Sequence, residues 1–308
     1  MKFENVRVMN FENALRGMRN PKESWHLSDS VYGIGTNTDL AYAIEDVAHL
    51  YAKKNNADFL NNYETAEKIK DDYSNWLKEN ASIYTAPNGF CEYAVIGPTD
   101  MKLAQNLIKA GPEHRKFLRQ IFVSVDITAP LFWWKEADTY KVGTVANSTS
   151  TMHKLMSKPI TIDCFEIDDF ENIEFPEEFQ REELKYLTDP DVIQMVLIPY
   201  LEYLRQRWLK LQEAIQLPSG DVEYIKTLEK QAKKTWKELI RWLPEAWLQK
   251  RTITMNYENL LGMCSKGQRR FNKLNEWSGI DDDTLPNFIN FVRTLPYADK
   301  FIFIDEDK

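Results

Sequence analysis

One strand constrains the fold of this chain more than any other feature. Between residues 121 and 127, β-branched residues alternate with Phe122, Ser124 and Asp126. The apolar residues that would share one face of that strand are Ile121, Val123, Val125 and Ile127. Period-two spacing of this kind predicts a strand that is buried on one face only.

A turn, a short helix and a polar segment follow this strand. Pro130 has a fixed φ and disfavours helix in the residue before it, so a turn is expected at the end of the strand. Apolar residues then return at helical spacing from Leu131 to about Tyr140, which predicts the short helix. After Gly143, residues 145–153 are predicted to form a loop in which most side chains can hydrogen-bond. A strand, an aromatic helix and a polar loop often build one wall of a ligand site.

The size and composition of the chain exclude several functional classes. A chain of 308 residues, 43% of them hydrophobic, can bury a large core. Neither a Walker-type nor a GxGxxG glycine pattern occurs, so the common phosphate-binding loops are not expected. The net charge of −8 disfavours a general nucleic-acid-binding protein.

Cysteine usage and hydropathy predict a soluble, cytoplasmic protein. Cys91, Cys164 and Cys264 are odd in number and far apart, which fits reduced thiols better than disulfides. No apolar run approaches the roughly 18 residues of a membrane helix, and no signal peptide begins the sequence. The acidic run at 168–179 lacks metal-ligand spacing and histidine, so we interpret it as solvated surface and expect no metal site.

Helical periodicity predicts long helices along most of the chain. A helix after a loop at 33–38 would be capped by Thr38 or Asp39, and another would be capped by Asp100 and end at Gly111. Further helices are expected at 63–79, at 189–215 with an interruption at Pro199, from a cap at Asp221 to Leu243, and at 256–277. A short strand at 93–96 and two extended pieces within 160–167 complete an α+β pattern with a mixed sheet.

Two stretches of the chain resemble the flavin-dependent thymidylate synthases. The signature of that family is a strand, a helix and then Arg-His-Arg-x-x-Ser-x-Asn-Glu-x-Ser-x-Arg-Tyr, and the segment TAPLFWW is similar to its entry. The first three signature positions fall on Thr139, Tyr140 and Lys141. With one inserted residue, the later positions fall on Thr144, Asn147, Ser148, Ser150, Met152 and His153.

The second resemblance is closer and lies in ELIRWLPEAWLQKRTITMNYENL. In the family, a helix that ends in Leu-Pro is followed by Thr-x-Asn and another helix, and here Leu243-Pro244 is followed by Thr254-Met-Asn256. The resemblance implies that Asn256 contacts a flavin. The residue type alone also allows Asn256 to cap the next helix, and the two roles are compatible.

A basic face is predicted on the helix at 256–277. At 100° per residue, four cations lie opposite the apolar side: Lys266, Arg269, Arg270 and Lys273. In the family, an arginine on this helix polarises the pyrimidine of dUMP, and its ungapped position here is Gly267. The resemblance therefore makes Lys266, Arg269 and Arg270 the catalytic candidates. The alternative is a solvated basic surface.

The resemblance covers roughly residues 95–300 and implies both an architecture and a reaction. It implies an α+β domain at 95–308 after a mostly helical N-terminal extension at 1–94. It implies that FAD, bound by Tyr140, Lys141 and Asn256, passes hydride in the methylation of dUMP or a related pyrimidine nucleotide. Methylenetetrahydrofolate would supply the carbon and NADPH the electrons, in a homotetramer without nucleic-acid or membrane partners. Substrate-binding positions would be Asn147, Ser148, Ser150 and His153.

The alternative is a protein that keeps the fold without flavin chemistry, either as a nucleotide-binding protein or as an oligomeric interaction protein. Thr139 and Met152 stand where the family has arginines. Each charge-assisted hydrogen bond that is lost in this way costs about 1.5–3 kcal/mol.

Overall fold

The structure is a computed structural model, and it describes residues 1–55, 63–150, 154–167, 188–217 and 221–305. Within these ranges the strands are β1 Lys2–Met9, β2 Val31–Gly35, β3 Ser82–Thr85, β4 Cys91–Val95, β5 Phe122–Pro130, β6 Val145–Ser148 and β7 Leu248–Asn256. The α-helices are α1 Phe11–Arg19, α2 Asn37–Asn55, α3 Tyr63–Asn80, α4 Pro98–Ala110, α5 Leu131–Ala137, α6 Asp189–Val192, α7 Ile198–Gln216, α8 Val222–Arg241, α9 Tyr257–Met263, α10 Asn275–Ser278, α11 Phe288–Arg293 and α12 Ala298–Phe301.

The strands form two sheets. A four-stranded sheet has the order β1-β5-β7-β6, and a three-stranded sheet has the order β2-β4-β3. The smaller sheet is antiparallel throughout, with Ala94 of β4 opposite Tyr32 of β2 and Ser82 of β3. The chain combines helices with antiparallel sheets, which confirms the predicted α+β class.

Strand β5 confirms the period-two prediction. Its apolar side chains are almost completely buried, whereas Phe122 on the opposite face is 37% exposed. Pro130 ends the strand, and α5 begins at the next residue. A proline at this point is favourable because its fixed φ suits the residue before a helix and it lacks the N–H that the helix would leave unpaired.

The chain divides into two compact units. Within the described residues, unit 1 comprises residues 1–2, 127–139 and 147–251, and unit 2 comprises residues 3–126, 140–146 and 252–305. The boundary expected between residues 94 and 95 stays a prediction.

Two fully buried tyrosines in the core of unit 2 have hydrogen-bonded hydroxyls. The Tyr297 hydroxyl accepts from Ile96 N at 2.8 Å and donates to Ala94 O at 3.2 Å. The hydroxyl of Tyr257 donates to Pro296 O at 2.6 Å. Burial raises the pKa of both phenols, so they remain neutral donors within the core.

Two helix starts in unit 2 differ from the sequence-based prediction. Helix α2 is preceded by strand β2 instead of a loop, and Thr36 caps it through a hydrogen bond from Asp39 N to its Oγ1, at 3.4 Å. Helix α4 begins after Gly97, and Asp29 accepts from Thr99 N and Asp100 N. The predicted cap, Asp100, is instead fully buried within the helix. The capping carboxylate of α4 is about 70 residues away in sequence, so no local pattern reveals it.

Unit 1 has a helical hairpin formed by α7 and α8. Leu201 and Leu204 of α7 and Leu239 of α8 are buried in one cluster with the segment at 155–165. The predicted cap is confirmed, because the Asp221 side chain accepts from Glu223 N and Tyr224 N, each at 3.0 Å. The predicted interruption at Pro199 takes the form of a π-helical turn, Ile193–Leu197, just before α7.

The segment at 160–167 in unit 1 differs in part from the sequence-based prediction. The extended pieces expected within 160–167 are confirmed only in part. Ile162–Cys164 forms a 3₁₀ turn, whereas Phe165 is extended and forms an isolated antiparallel bridge with Trp247. Of the helices that the structure describes, none has the length and apolar character needed to cross a membrane.

Candidate functional site

A turn at 140–143 lies on the start of α9 in unit 2. The Asn259 amide donates to Val142 O at 2.7 Å. Asn259 also belongs to a capping box, in which Asn259 N donates to the Asn256 side chain at 3.0 Å and Asn256 N donates to the Asn259 side chain at 3.2 Å. Asparagine is a preferred N-cap because its side-chain oxygen satisfies an otherwise unpaired helix N–H. The cap role that the sequence allows for Asn256 is therefore present.

Gly143 makes this close approach possible. Its φ of +79° lies in the left-handed region, a backbone conformation that residues with a side chain rarely adopt. A Cβ at this position would lie 3.0 Å from Asn256 Nδ2 and 3.0 Å from Asn259 Oδ1. The turn thus requires glycine for both conformation and space.

The same turn presents Tyr140 to a cationic and aromatic cluster. Arg269 Nε donates to the Tyr140 hydroxyl at 3.0 Å, and that hydroxyl donates to Gln268 Oε1 at 3.2 Å. The guanidinium carbon of Arg269 lies 4.8 Å from the ring centroid of Trp277, which is fully buried, and 5.5 Å from that of Tyr140. We call Tyr140, Gln268, Arg269 and Trp277 the Tyr140 cluster.

The Tyr140 cluster has the chemistry of a site for a planar or anionic group. A guanidinium that is held over aromatic rings is oriented in advance, and its rigid fork matches carbonyl and phosphate oxygens. Lys141, the next residue along the turn, is exposed and adds a second positive charge. In the described part of the chain, no group of three or more His, Cys, Asp or Glu side chains could hold a metal ion.

The predicted helix at 256–277 is wrong. Strand β7 extends to Asn256, α9 ends at Met263, and turns lead to α10 at Asn275. Gly262 and Gly267 weaken helix propensity here by about 1 kcal/mol each. At the C-terminal side of these turns, the Asn272 side chain accepts from Leu274 N at 2.8 Å and favours a turn.

The four cations of that stretch consequently do not share a helix face. Lys266 is exposed and Arg269 belongs to the Tyr140 cluster. Arg270 is only 4% exposed, donates to Cys264 O at 2.6 Å and pairs with Asp305 at 3.0 Å. These contacts give Arg270 a structural role in joining the turn to the C-terminal part of unit 2.

The predicted substrate residues belong to unit 1 and not to the unit of the Tyr140 cluster. Asn147 and Ser148 lie in strand β6, where a loop was expected, and Ser150 follows it and accepts from Lys154 N at 3.0 Å. All four residues of β6 are exposed. A strand without a buried face has no apolar alternation, which explains the wrong prediction. His153 lies outside the described residues.

Sequence reasoning missed three residues of this region. Gln268 and Trp277 join the cluster through contacts with a tyrosine that is more than 120 residues away, and no local spacing indicates such contacts. Asn259 could have been found, because an Asn-x-x-Asn pair before an apolar helix is compatible with a capping box.

Comparisons with known proteins find only remote likeness. No family model and no curated protein matches the chain. The solved structures that are similar to it include two of the flavin-dependent thymidylate synthase ThyX from Helicobacter pylori with FAD and dUMP. The first is 14% identical with a TM-score of 0.39 and covers 68% of this chain and 84% of its own. The second is 12% identical with a TM-score of 0.39 and covers 91% and 98%.

Proposed function

We propose that this chain is a divergent relative of the flavin-dependent thymidylate synthases that binds FAD and a pyrimidine nucleotide, dUMP or a close analogue. The observation that carries the proposal is convergence in space. The two stretches that resemble the family are separated by about 100 residues, yet Val142 of the first bonds to Asn259 of the second. Tyr140 of the first stretch also bonds to Arg269, which follows the second. In the four-stranded sheet, β7 of the second stretch also lies between β5 and β6 of the first.

The residues of the Tyr140 cluster fit part of a flavin nucleotide. The Arg269 fork suits the planar carbonyl edge of a flavin ring or its phosphates, and Trp277 keeps that fork in place. The side-chain oxygen of Asn256 accepts the cap hydrogen bond, and its Nδ2 group is proposed to donate to the flavin. Lys141 would add charge for a phosphate.

Each residue has a defined task in this proposal. Tyr140 orients Arg269, Asn256 and Gly143 fix the turn, and Lys141 and Lys266 supply exposed cations. Asn147, Ser148, Ser150 and His153 are proposed to bind the nucleotide, and we leave Arg270 in its structural role. When bound, reduced FAD would supply the hydride for methylation of the pyrimidine with methylenetetrahydrofolate, after reduction by NADPH.

Nucleotide binding without flavin chemistry is the second candidate. The observation in its favour is that Asn256 and Arg269 already have partners within the protein. A protein of this kind would bind dUMP and would not retain FAD.

The deciding experiment is an FAD titration of the purified protein, followed by visible absorbance, with Arg269→Gln and the exposed control Arg241→Gln. We expect wild type and the control to bind FAD alike, and Arg269→Gln to bind it about tenfold more weakly. Loss of the flavin absorbance on addition of NADPH, and its recovery on addition of dUMP and methylenetetrahydrofolate, would support the enzyme proposal. Nucleotide binding without FAD binding would support the second candidate, and equal FAD affinity of all three proteins would reject the role of the Tyr140 cluster.

A homotetramer is also part of the proposal, because the family places its sites between subunits. Light scattering coupled to gel filtration measures the mass directly. A monomer at all concentrations would contradict the tetramer.

A further inference from the structure

Unit 2 contains a cavity to which the proposed function gives no ligand. Its volume is about 660 Å³, and a range of about 300–1,000 Å³ is typical of small-molecule sites. No residue of the Tyr140 cluster lines this cavity. All of its lining residues belong to unit 2, and they and their chain neighbours lie in the described part of the chain.

One face of the three-stranded sheet forms the floor of the cavity. Residues that are opposite each other, or two apart along one strand, point to the same side of a sheet. In the register of β4 with β2 and β3, this places six cavity-lining side chains on one face: Tyr32, Ile34, Ser82, Tyr84, Glu92 and Ala94. We call the cavity the Tyr84 cavity.

The rest of the lining comes from the end of β1, the start of α1 and Phe122 of β5. Asn10 fixes this part, because its Nδ2 donates to Gln120 O at 2.8 Å and its Oδ1 accepts from Asn13 Nδ2 at 2.7 Å. Phe122 is 37% exposed, which leaves part of its ring open to a ligand. A lining that is already fixed loses less conformational entropy when a ligand binds.

The chain itself places a cation against the floor of the Tyr84 cavity. The guanidinium carbon of Arg7 lies 4.3 Å from the ring centroid of Tyr84, and Arg7 Nη2 donates to Glu92 Oε2 at 2.8 Å. An aromatic face attracts an organic cation, and a neighbouring carboxylate adds to that attraction. The side chains of Arg7 and Glu92 are 44% and 47% exposed, and an ion pair as exposed as this contributes little to stability. An external cation can therefore replace Arg7.

One cation and two carboxylates line the Tyr84 cavity, namely Arg7, Glu12 and Glu92. Glu12 lies in the first turn of α1, is exposed, and forms no ion pair with a described residue. Arg16, one turn further along α1, does not line the cavity. Arg7 thus balances one carboxylate and leaves the lining with a net negative charge.

We propose that the Tyr84 cavity binds a small organic cation, a quaternary ammonium or an alkylated amine. In this proposal the positive charge lies beside Glu12 and Glu92. The alkyl groups contact the rings of Tyr84 and Phe122. A phosphate or a nucleotide does not suit this lining, because its net charge repels anions. The proposal is independent of the flavin assignment, which concerns the Tyr140 cluster.

Isothermal titration of the full chain with choline tests the proposal. The comparison ligand is the uncharged isostere of choline, in which a tert-butyl group replaces the trimethylammonium group. We expect choline to bind with a Kd of about 1 mM or tighter, and the isostere to bind at least about tenfold more weakly. Equal affinities would show that the cavity does not recognise charge and would overturn the proposal, as would the absence of choline binding up to about 10 mM.

Glu92→Gln tests the carboxylate. We expect this variant to bind choline about tenfold more weakly than wild type. The matched control is Glu113→Gln, which removes an exposed carboxylate that pairs with Lys116 outside the cavity, and it should bind choline like wild type. Equal choline affinity of Glu92→Gln and the control would contradict the proposed position of the charge.

Two substitutions of Tyr84 test the aromatic contact. Tyr84→Phe keeps the ring and should bind choline like wild type, whereas Tyr84→Leu keeps only an apolar side chain and should bind it several-fold more weakly. Tyr42→Leu is the control, because Tyr42 is 68% exposed on α2 and does not line the cavity. Equal choline affinity of Tyr84→Phe and Tyr84→Leu would remove the ring from the site.

Arg7→Gln separates a cation site from an anion site by the direction of its effect. The substitution removes the internal competitor for Tyr84 and Glu92, so choline should bind more tightly than to wild type. Weaker choline binding would overturn the proposal. Arg269→Gln should leave choline binding unchanged, and Glu92→Gln should leave FAD binding unchanged, so that failure of this proposal is distinguishable from failure of the flavin proposal. Loss of choline binding in Arg269→Gln would place choline in the Tyr140 cluster instead.

Discussion

Arg19 and Asp100 form a buried ion pair that joins the first helix of unit 2 to its fourth. Arg19 is 3% exposed and Asp100 is fully buried, and Arg19 Nε donates to Asp100 Oδ1 at 2.6 Å. The other oxygen of Asp100 accepts from the hydroxyls of Ser28 and Ser30, each at 2.6 Å. Arg19 also donates to Ser24 O and Leu27 O, so the pair fixes the irregular segment between α1 and β2.

Removal of one partner should therefore destabilise the protein strongly. We expect Asp100→Ala to lower the free energy of unfolding by about 3–5 kcal/mol, because it leaves the Arg19 charge buried without its carboxylate. The measurement is urea unfolding followed by circular dichroism. The exposed pair Arg7–Glu92 provides the control, and Glu92→Ala should cost at most about 1 kcal/mol. Similar losses for both variants would contradict the importance of burial.

Gly143 should be intolerant of a side chain. Gly143→Ala places a Cβ 3.0 Å from two amide groups in a left-handed backbone conformation, and we expect a loss of about 1–3 kcal/mol. FAD affinity should fall with it, since the turn positions Tyr140. Gly267→Ala is the control, because a Cβ there meets nothing within 4 Å. If thermal unfolding shows equal midpoints for the two variants, the turn does not require glycine at position 143.

The two roles of Asn256 can be separated by substitution. Asn256→Ser keeps a capping oxygen and should change stability by only a few tenths of a kcal/mol, whereas Asn256→Ala should cost about 1 kcal/mol. If Asn256 Nδ2 contacts the flavin, the serine variant should still bind FAD more weakly than wild type. Chemical unfolding and FAD titration measure the two effects on the same samples. Unchanged FAD affinity in the serine variant would leave Asn256 with the cap role alone.

The sequence was informative at several places where the determining contacts are local. The alternation in β5 and the caps at Gly111 and Asp221 depend on residues within a few positions of each other, and the structure confirms them. These patterns are direct consequences of strand pleat and of unpaired helix-end groups. They identified most of the long helices, but only β4 and β5 among the strands that the structure describes.

Contacts between residues that are far apart in sequence could not be predicted from local patterns. Arg19 and Asp100 are 81 residues apart, and Tyr140 and Arg269 are 129 residues apart. Helical spacing was also misleading after Asn256. Leu260 and Cys264 are buried as an amphipathic helix would require, but the chain leaves the helix at Met263, and Arg269 N donates to Met263 O at 2.9 Å. Turns with glycine can place apolar residues inward without helical periodicity.

Glu202 should make the stability of unit 1 sensitive to acid. The pKa of Glu202 is lowered from an ordinary value of 4.5 to about 2, mainly because Arg205 donates hydrogen bonds to its carboxylate. A carboxylate whose pKa is lower in the folded protein stabilises it above the unfolded pKa, and that stabilisation is lost as the pH falls from 4.5 towards 2. We expect Glu202→Gln to be less stable than wild type at neutral pH and to lose less stability over that acid range. Urea unfolding at a series of pH values measures both effects, with the exposed Glu229→Gln of α8 as the control. If the free energy of unfolding depends on pH in the same way in wild type and Glu202→Gln, the Glu202–Arg205 pair is not the cause of the acid sensitivity.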